Sequence, residues 1–247
     1  MKKLCFVLVV ALALFGLACS RKETPLTILT EDYPPLSFME NDMVTGYGAE
    51  VVGAIQEILK TNFVPQLLEW DDAYERALNE PNVVLFTMEK TPERADKFHF
   101  IGPLGAHTAS FYALAESDLQ LPNLEAAKEV KIIATTKKWF TEQYLLEQGF
   151  TNLVSTDTPQ QNITMLLEKK ADLSVFTNVT YPLLAKSAGI DPDALKPIFD
   201  VMSTEYYITI SKATDPAVVA KWQEAFAQLQ QDGSLQKIKD KWFPPAE

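Results

Sequence analysis

Residues 63–87 have the sequence FVPQLLEWDDAYERALNEPNVVLFT. The apolar runs at 63–68 and 83–87 are typical of strands, and the stretch 71–79 between them is typical of a helix. A strand, a helix and a second strand in so short a stretch form the repeating unit of a mostly parallel sheet with helices on both faces. This stretch therefore predicts an α/β fold.

The same alternation continues on both sides of this unit. Toward the N-terminus, a strand is predicted at 25–29 and an amphipathic helix at 48–59, because the apolar residues of the latter recur at helical spacing. In the second half, strands are predicted at 130–135, 153–156, 173–176 and 206–211, and helices at 140–148, 160–169 and 217–230. The chain thus contains two α/β units.

The two units are predicted to be two lobes with a cleft between them. The first lobe is predicted at 26–106 with a return segment at 204–247, and the second lobe at 107–203. The GPLG stretch at 102–105 marks one junction between them. The short crossings near 106–109 and 201–205 can act as hinges around a bound molecule.

The N-terminus has the features of an export signal. Lys2 and Lys3 precede an apolar run that ends with the small residues Gly16 and Ala18, which predicts a signal peptide at 1–18 and a tether at 19–25. Cys19 follows a stretch that resembles a lipobox, so we favour a lipid anchor on Cys19; ordinary cleavage before Cys19 is the alternative. Cys5, the other cysteine, lies in the signal, so no disulfide is expected. The predicted location is the periplasm or the cell surface.

Charge and composition exclude several classes of protein. Removing Lys2 and Lys3 takes the formal net charge from −11 to −13, which argues against a nucleic-acid partner. The two histidines have no metal-ligand spacing, and there is no Gly-rich phosphate loop and no cysteine nucleophile beyond Cys19. We expect a monomeric binding protein without catalytic activity, metal or cofactor.

Four short stretches give the chain a family resemblance. They are YPPLSF at 33–38 followed by TGY at 45–47, TPER at 91–94 followed by FHFIGP at 98–103, KAD at 170–172, and DGSL at 232–235 with KW at 241–242. In this order and spacing, the chain from Leu26 to Trp242 resembles the family-3 extracellular solute-binding proteins, the polar amino-acid receptors of ABC importers. The resemblance implies a two-lobe, type II periplasmic-binding-protein-like fold. It also implies a small polar, amino-acid-like ligand and an importer permease as partner.

Arg94 is the leading candidate for ligand binding. Thr91 is a good N-cap and Pro92 suits the first helical position, so Arg94 is predicted near the free N–H groups of a helix start. A carboxylate there could accept a bidentate bond from the guanidinium. The resemblance implies that Arg94 binds the ligand's α-carboxylate. The alternative is a structural ion pair with Glu93 or Asp96.

Four further residues join the candidate site through the resemblance. Tyr33 and Trp70 match aromatic positions that sandwich the ligand, although Trp70 could instead be a core residue. Thr87 matches a position that offers a hydroxyl group to the ligand. Glu89 replaces such a hydroxyl residue, and its carboxylate can face a ligand ammonium group, Arg94 or solvent.

The second lobe departs from the family pattern at two positions. Thr177 and Asn178 stand where the family has an aspartate for the ligand's α-amino group, and neutral groups cannot compensate that charge. The sequence TKKWF at 136–140 replaces a stretch of glycine and hydroxyl residues. Lys137 and Lys138 could therefore surround a second acidic group together with Arg94. Trp139 could be a lid over the ligand or a surface aromatic residue.

Two functions other than import use the same fold. A free-standing accessory protein can present its ligand to a separate membrane sensor. A dehydratase-like enzyme could use Glu89 as a general acid. We therefore keep both alternatives beside the importer component.

Overall fold

The computed structural model describes residues 25–243. The predicted signal peptide at 1–18 and the predicted anchor Cys19 lie outside the described residues. None of the helices within 25–243 combines the length and the apolar character of a membrane span.

The first part of the chain alternates strands and helices. Its elements are β1 (Thr27–Thr30), β2 (Phe38–Glu40), β3 (Met43–Thr45), α1 (Tyr47–Leu59), β4 (Gln66–Leu67), α2 (Trp70–Asn79), β5 (Val83–Glu89) and β6 (Phe98–Leu114). The second part contains a 3₁₀ helix (Leu124–Glu129), β7 (Ile133–Thr136), α3 (Phe140–Glu147), β8 (Leu153–Thr156), α4 (Pro159–Leu167), β9 (Leu173–Thr177) and α5 (Tyr181–Ser187). The second part ends with a second 3₁₀ helix (Pro192–Ala194), β10 (Leu195–Ser211), α6 (Pro216–Gln231) and α7 (Ser234–Trp242).

The main sheet is mixed, with a parallel block at each end. Eight strands run in the order β4-β1-β5-β10-β6-β9-β7-β8. Strands β4, β1 and β5 are parallel in one lobe, and β9, β7 and β8 are parallel in the other. The antiparallel pair β6 and β10 joins the two blocks. The prediction of two α/β lobes is confirmed.

Strand β10 is much longer than the strand predicted at 206–211, and β6 was not predicted as a strand. The GPLG stretch lies inside β6 instead of ending it. Gly105 is paired with Tyr206 and Ile101 with Ile208, so residues 102–104 stand opposite Tyr207 alone and form a bulge. A bulge accommodates a proline that cannot donate to the ladder, which is why β6 continues past Pro103.

The two predicted crossings lie side by side. Residues 106–109 of β6 pair with residues 202–205 of β10, and these central rungs connect the two parallel blocks. The predicted lobe boundaries at 106/107 and 203/204 fall within these rungs and remain a prediction.

Each lobe buries its own apolar core. Helices α1, α2 and α6 pack on the block formed by β1 and β5, and the second block has two smaller clusters under α3, α4 and α5. The division between the two cores is not complete. Trp139, which precedes α3 in the second lobe, is buried in the core cluster of the first lobe.

Candidate ligand-binding site

A small cavity lies where the strands of both lobes end. It is lined by Glu31, Tyr33, Trp70, Glu89, Arg94, Trp139 and Phe140, and these side chains leave no room in it for a water-sized molecule. The first five residues lie at or just after the ends of β1, β4 and β5, and the last two follow β7. Because the carboxyl ends of neighbouring parallel strands meet at one edge of a sheet, these residues converge although they are far apart in sequence. Five of the predicted site residues are among the seven.

Arg94 is held by a turn, and the predicted helix is absent there. The carbonyl oxygen of Thr91 accepts bonds from the N–H groups of Arg94 (3.1 Å) and Ala95 (3.0 Å), but residues 92–97 form turns only. The hydroxyl group of Thr91 also accepts from Arg94 N–H at 3.3 Å, so the predicted cap is present. Glu93 binds Lys97 at 2.8 Å, so the alternative that pairs Glu93 with Arg94 is not observed.

The guanidinium group of Arg94 is fully buried between aromatic rings. Its central carbon lies 4.9 Å from the ring centre of Trp70 and 5.3 Å from that of Tyr74. Nη2 donates to the carbonyl oxygen of Lys138 at 3.2 Å, and Nη1 lies 3.9 Å from Glu89 Oε2. Within residues 25–243, Nε and Nη1 make no hydrogen bond. Burial lowers the pKa of Arg94, partly offset by Glu89.

Two carboxyl groups share this buried space. Burial raises the pKa of Glu89 to about 7, while the charge of Arg94 acts in the opposite direction. Burial, and then the charge of Glu89, raises the pKa of Glu31 well above its usual value. Arg94 and a hydrogen bond from Trp139 partly counter that rise. Glu89 is only 4% exposed, so the alternative that it points into solvent is wrong.

His107 stands behind Glu89 and was not predicted as part of the site. Its Nε2 lies 3.3 Å from Glu89 Oε1, and its ring stacks on Phe140 with a centroid distance of 5.5 Å. Burial lowers the pKa of His107 to about 4, so the imidazole is neutral at neutral pH. Glu31 and Phe140 were also missed. Glu31 stands two residues before Tyr33 at the end of β1, a position that could have indicated it.

Three predicted residues do not line the cavity. The hydroxyl group of Thr87 donates to the carbonyl oxygen of Phe86 at 2.6 Å. Thr177 lies behind the lining, with its hydroxyl group 3.4 Å from that of Tyr33. Asn178 is exposed, and its Oδ1 accepts a bond from Thr108 N–H at 3.0 Å. Asn178 therefore supports β6 and does not replace the missing aspartate.

The loop before α3 places its charged and aromatic side chains in different surroundings. The Nζ atoms of Lys137 and Lys138 lie 3.4 and 3.3 Å from Asp71 at the cleft rim, so they do not surround a second acidic group with Arg94. Trp139 points inward, and its ring meets that of Tyr33 edge-on at 5.0 Å. With 7% of its surface exposed, Trp139 is not a surface aromatic residue.

Residues 26–245 match the sequence profile of the bacterial extracellular solute-binding proteins, family 3. The chain belongs to this family. The expected resemblance is thereby confirmed over nearly the whole of the described chain.

Relatives and solved structures agree with this membership. The arginine-binding extracellular protein ArtP of Bacillus subtilis is 24% identical over 260 residues, which cover 98% of each chain. The amino-acid-binding protein AabA of Dichelobacter nodosus is 23% identical over 87% of each chain. Among solved structures, the arginine-, lysine-, histidine-binding protein ArtJ of Geobacillus stearothermophilus has a TM-score of 0.77 at 19% identity, covering 90% of this chain and 97% of its own.

The same fold also occurs in a sensor. A histidine kinase sensor domain with similarity to periplasmic binding proteins has a TM-score of 0.80 at 22% identity, covering 89% of this chain and 96% of its own. These likenesses confirm the type II two-lobe fold of this family-3 protein. Within residues 25–243, no group of three or more His, Cys, Asp or Glu side chains is arranged to hold a metal ion.

Proposed function

We propose that this family-3 protein is the extracytoplasmic solute-binding component of an ABC importer and that it captures a small, polar, amino-acid-like ligand as its lobes close. The observation that carries the proposal is the state of Arg94. It is completely buried, it faces the cavity, and its Nε and Nη1 make no hydrogen bond within the described chain. A buried cation with unused donors is costly unless an anion completes it.

A carboxylate is the group that best completes Arg94. The planar guanidinium fork matches the two oxygens of a carboxylate, and charge-assisted bonds of this kind are about twice as strong as neutral ones. The rings of Trp70 and Tyr33 add apolar walls that suit the carbon skeleton of a small solute. The arginine-binding and amino-acid-binding names of the relatives support the same ligand class.

Glu31 and Glu89 supply a second recognition element. Both line the cavity, and both have a raised pKa because burial disfavours their charge. A ligand ammonium group would offset that cost and draw either carboxyl into its ionised form. We therefore assign the ammonium-binding role, which the family gives to an aspartate of the second lobe, to Glu31 and Glu89 of the first lobe.

Export and anchoring belong to the same proposal. A signal at 1–18 would carry the protein out of the cytoplasm, and acylation of Cys19 would hold it near a permease. Cys19→Ser should move the protein from the membrane fraction to the soluble fraction. A wild-type protein that is already soluble would contradict the anchor.

Glu89 is also the residue on which a catalytic alternative depends. A carboxyl group with a pKa of about 7 can exchange a proton at neutral pH, as a general acid does. We infer that the protein instead returns its ligand unchanged, because family membership and the amino-acid-binding relatives favour a binder. Mass spectrometry of the released ligand after overnight incubation tests this. A dehydrated or decarboxylated product would favour the enzyme.

A thermal-shift screen tests the binding function. The twenty L-amino acids, polyamines and dicarboxylic acids are added singly to the wild-type protein. At 100 times its dissociation constant a ligand adds about 2.7 kcal/mol of stability, which corresponds to a rise in Tm of about 5–10 °C for a chain of this size. Carboxylate-bearing amines should shift Tm, whereas polyamines without a carboxylate should not. A response to polyamines alone would overturn the assignment of Arg94.

Uptake separates the importer from the ligand-presenting sensor. Deleting the gene should abolish import of the radiolabelled ligand if the protein serves a permease. If the deletion leaves import unchanged and removes a transcriptional response to the ligand, the sensor function is correct.

A further inference from the structure

The backbone carbonyl group of Lys138 accepts hydrogen bonds from two side-chain donors of the site that a ligand would also use. Its carbonyl oxygen accepts one bond from Arg94 Nη2 and another from Trp70 Nε1, each at 3.2 Å. Arg94 and Trp70 belong to the first lobe, and Lys138 belongs to the second. A ligand oxygen placed on the same two donors would have to displace this carbonyl group.

The side chain of Trp139 fills the adjoining part of the cavity. Its ring meets Tyr33 edge-on at 5.0 Å, and its indole N–H faces the carboxyl group of Glu31, whose pKa it lowers. An amino-acid-like molecule would make similar contacts. It would offer an acceptor to Arg94, a side chain to pack beside Tyr33 and an N–H group to an acidic residue. Lys138 and Trp139 together therefore imitate the chemistry of the proposed ligand.

The second lobe holds this loop in a defined shape. Lys138 has a φ angle of 57°, in the left-handed region that non-glycine residues rarely adopt. The carboxyl group of Glu142 in α3 supports that conformation by accepting a bond from Lys138 N–H at 2.6 Å. Glu142 is itself fixed by the hydroxyl groups of Thr135 (2.9 Å) and Ser155. The Lys138 carbonyl is thus presented to the first lobe by a braced turn.

The side chains of the loop add contacts in the same direction. Lys137 and Lys138 both reach Asp71 at the start of α2, and Lys138 also lies 3.7 Å from Glu75. These contacts can hold the lobes together without any solute.

We propose that residues 137–139 form an internal latch that closes the cleft and competes with the ligand for Arg94. The identity of the competitor rests on the proposed function, but the latch itself does not. A bidentate carboxylate needs Nη2 of Arg94 together with Nη1 or Nε, so only molecules with the loop withdrawn can bind it in this way. The apparent dissociation constant is therefore the intrinsic constant divided by the fraction of unlatched molecules.

Scattering without added solute tests the latch directly. Trp139→Ala removes the buried ring and its contact with Tyr33, so the radius of gyration of the variant should exceed that of the wild type. Trp242→Ala is the matched control, because Trp242 packs on Phe38 and Glu50 within the first lobe. Equal radii for the wild type and a folded Trp139→Ala would overturn the latch.

A second variant covers the case in which Trp139→Ala does not fold. Trp139→Phe keeps an aromatic ring beside Tyr33 and loses only the indole N–H group and part of the buried ring surface. It should show a smaller expansion in the same direction. If Trp139→Ala is unfolded and Trp139→Phe has the wild-type radius, the latch is also rejected.

Calorimetry with L-arginine as the probe tests the competition. If one molecule in ten is unlatched, releasing the loop tightens binding about tenfold, so Trp139→Ala should bind L-arginine about tenfold or more tightly than wild type. Weaker binding by the variant would make Trp139 a ligand contact and overturn the competition while sparing the proposed function. Expansion on substitution with no amino acid bound by either protein would keep the latch and remove the proposed function.

Discussion

Two groups of charged side chains lie close together in this protein, one inside the cavity and one on its rim. The interatomic distances are similar, between 3.3 and 3.9 Å in both groups. Their exposure differs greatly. The inner group consists of Glu31, Glu89, Arg94 and His107, all buried, and the rim group consists of Asp71, Glu75, Lys137 and Lys138, all with side chains at least 30% exposed.

The difference shows that distance alone does not make a charged cluster functional. On the rim, two lysines face two carboxylates, and all four side chains are partly exposed to solvent. Inside, two carboxyl groups share one guanidinium group beside a neutral imidazole, and burial shifts the pKa of every member. The inner group is therefore incomplete as a set of charges, and a ligand with a carboxylate and an ammonium group would complete it.

Replacing Arg94 should have the largest effect. Arg94→Ala removes the only buried guanidinium group in the cavity, so a carboxylate ligand loses at least two charge-assisted bonds. We expect affinity to fall at least about 100-fold, or about 3 kcal/mol. Arg94→Lys should lose nearly as much, because an ammonium group lacks the planar fork. Titration calorimetry measures both.

Arg76→Ala is the matched control on the outer side of α2. Arg76 forms an ion pair with Glu80 at 3.0 Å and does not line the cavity. The Arg76→Ala variant should therefore bind ligand as tightly as the wild type does. Full affinity in Arg94→Ala would remove the carboxylate clamp and the main support for an amino-acid-like ligand.

Replacing Glu89 should change how stability depends on pH. The pKa of Glu89 is about 7 in the folded chain against 4.5 for a free side chain, so the folded state holds this proton more tightly. The resulting stability is complete below pH 4.5 and is lost as the pH rises through about 7. Relative to wild type, Glu89→Gln should gain up to about 3 kcal/mol in unfolding free energy between pH 4.5 and pH 8.

Comparing wild type with Glu89→Gln separates the contribution of Glu89 to the pH dependence of stability from the contributions of its neighbours. His107 has a lowered pKa, so its contribution is present above pH 6.5 and is lost as the pH falls through about 4, in both proteins. Glu31 and Arg94 are likewise retained. Urea unfolding at several pH values measures the difference, with the rim variant Glu75→Gln as the control. Parallel pH curves for wild type and Glu89→Gln would show that Glu89 is not desolvated.

The family resemblance was enough to predict one wall of the cavity. It pointed to Tyr33, Trp70, Glu89 and Arg94, and each of them lies at or just after the carboxyl end of a strand in one parallel block. The carboxyl ends of such strands lie at one edge of the sheet, which is why these residues meet. His107 could not be found in this way. It reaches Glu89 because β6 continues through a bulge at 102–104, and a Gly-Pro pair in the sequence indicated a junction instead.

The opposite wall was harder to predict for a different reason. The residues next to Trp139 in the sequence do not indicate whether its ring faces solvent or the cleft. Its orientation depends on the preceding residue, Lys138, whose N–H is held by Glu142 and whose carbonyl group contacts Arg94 and Trp70. It also depends on the contact of its own ring with Tyr33 of the other lobe. Such contacts join residues that are distant along the chain, and no periodic pattern encodes them.

The rim provides the smallest expected effect and the sharpest contrast with the inner group. Asp71→Asn removes the carboxylate that both Lys137 and Lys138 approach, yet the three side chains are 30–53% exposed. Exposed pairs contribute about 0–1 kcal/mol, and Asp71 Oδ1 has no hydrogen bond within residues 25–243 that an amide would lose. We expect a loss below about 1 kcal/mol in low salt that disappears near 1 M salt, where the screening length is about 3 Å. Urea unfolding at both salt concentrations measures the loss.

The effect of Glu89→Gln should persist in high salt, because ions do not enter the buried cavity. A salt-independent loss above about 2 kcal/mol for Asp71→Asn would mean that the rim is as desolvated as the inner group, and that the contrast between the two groups does not hold.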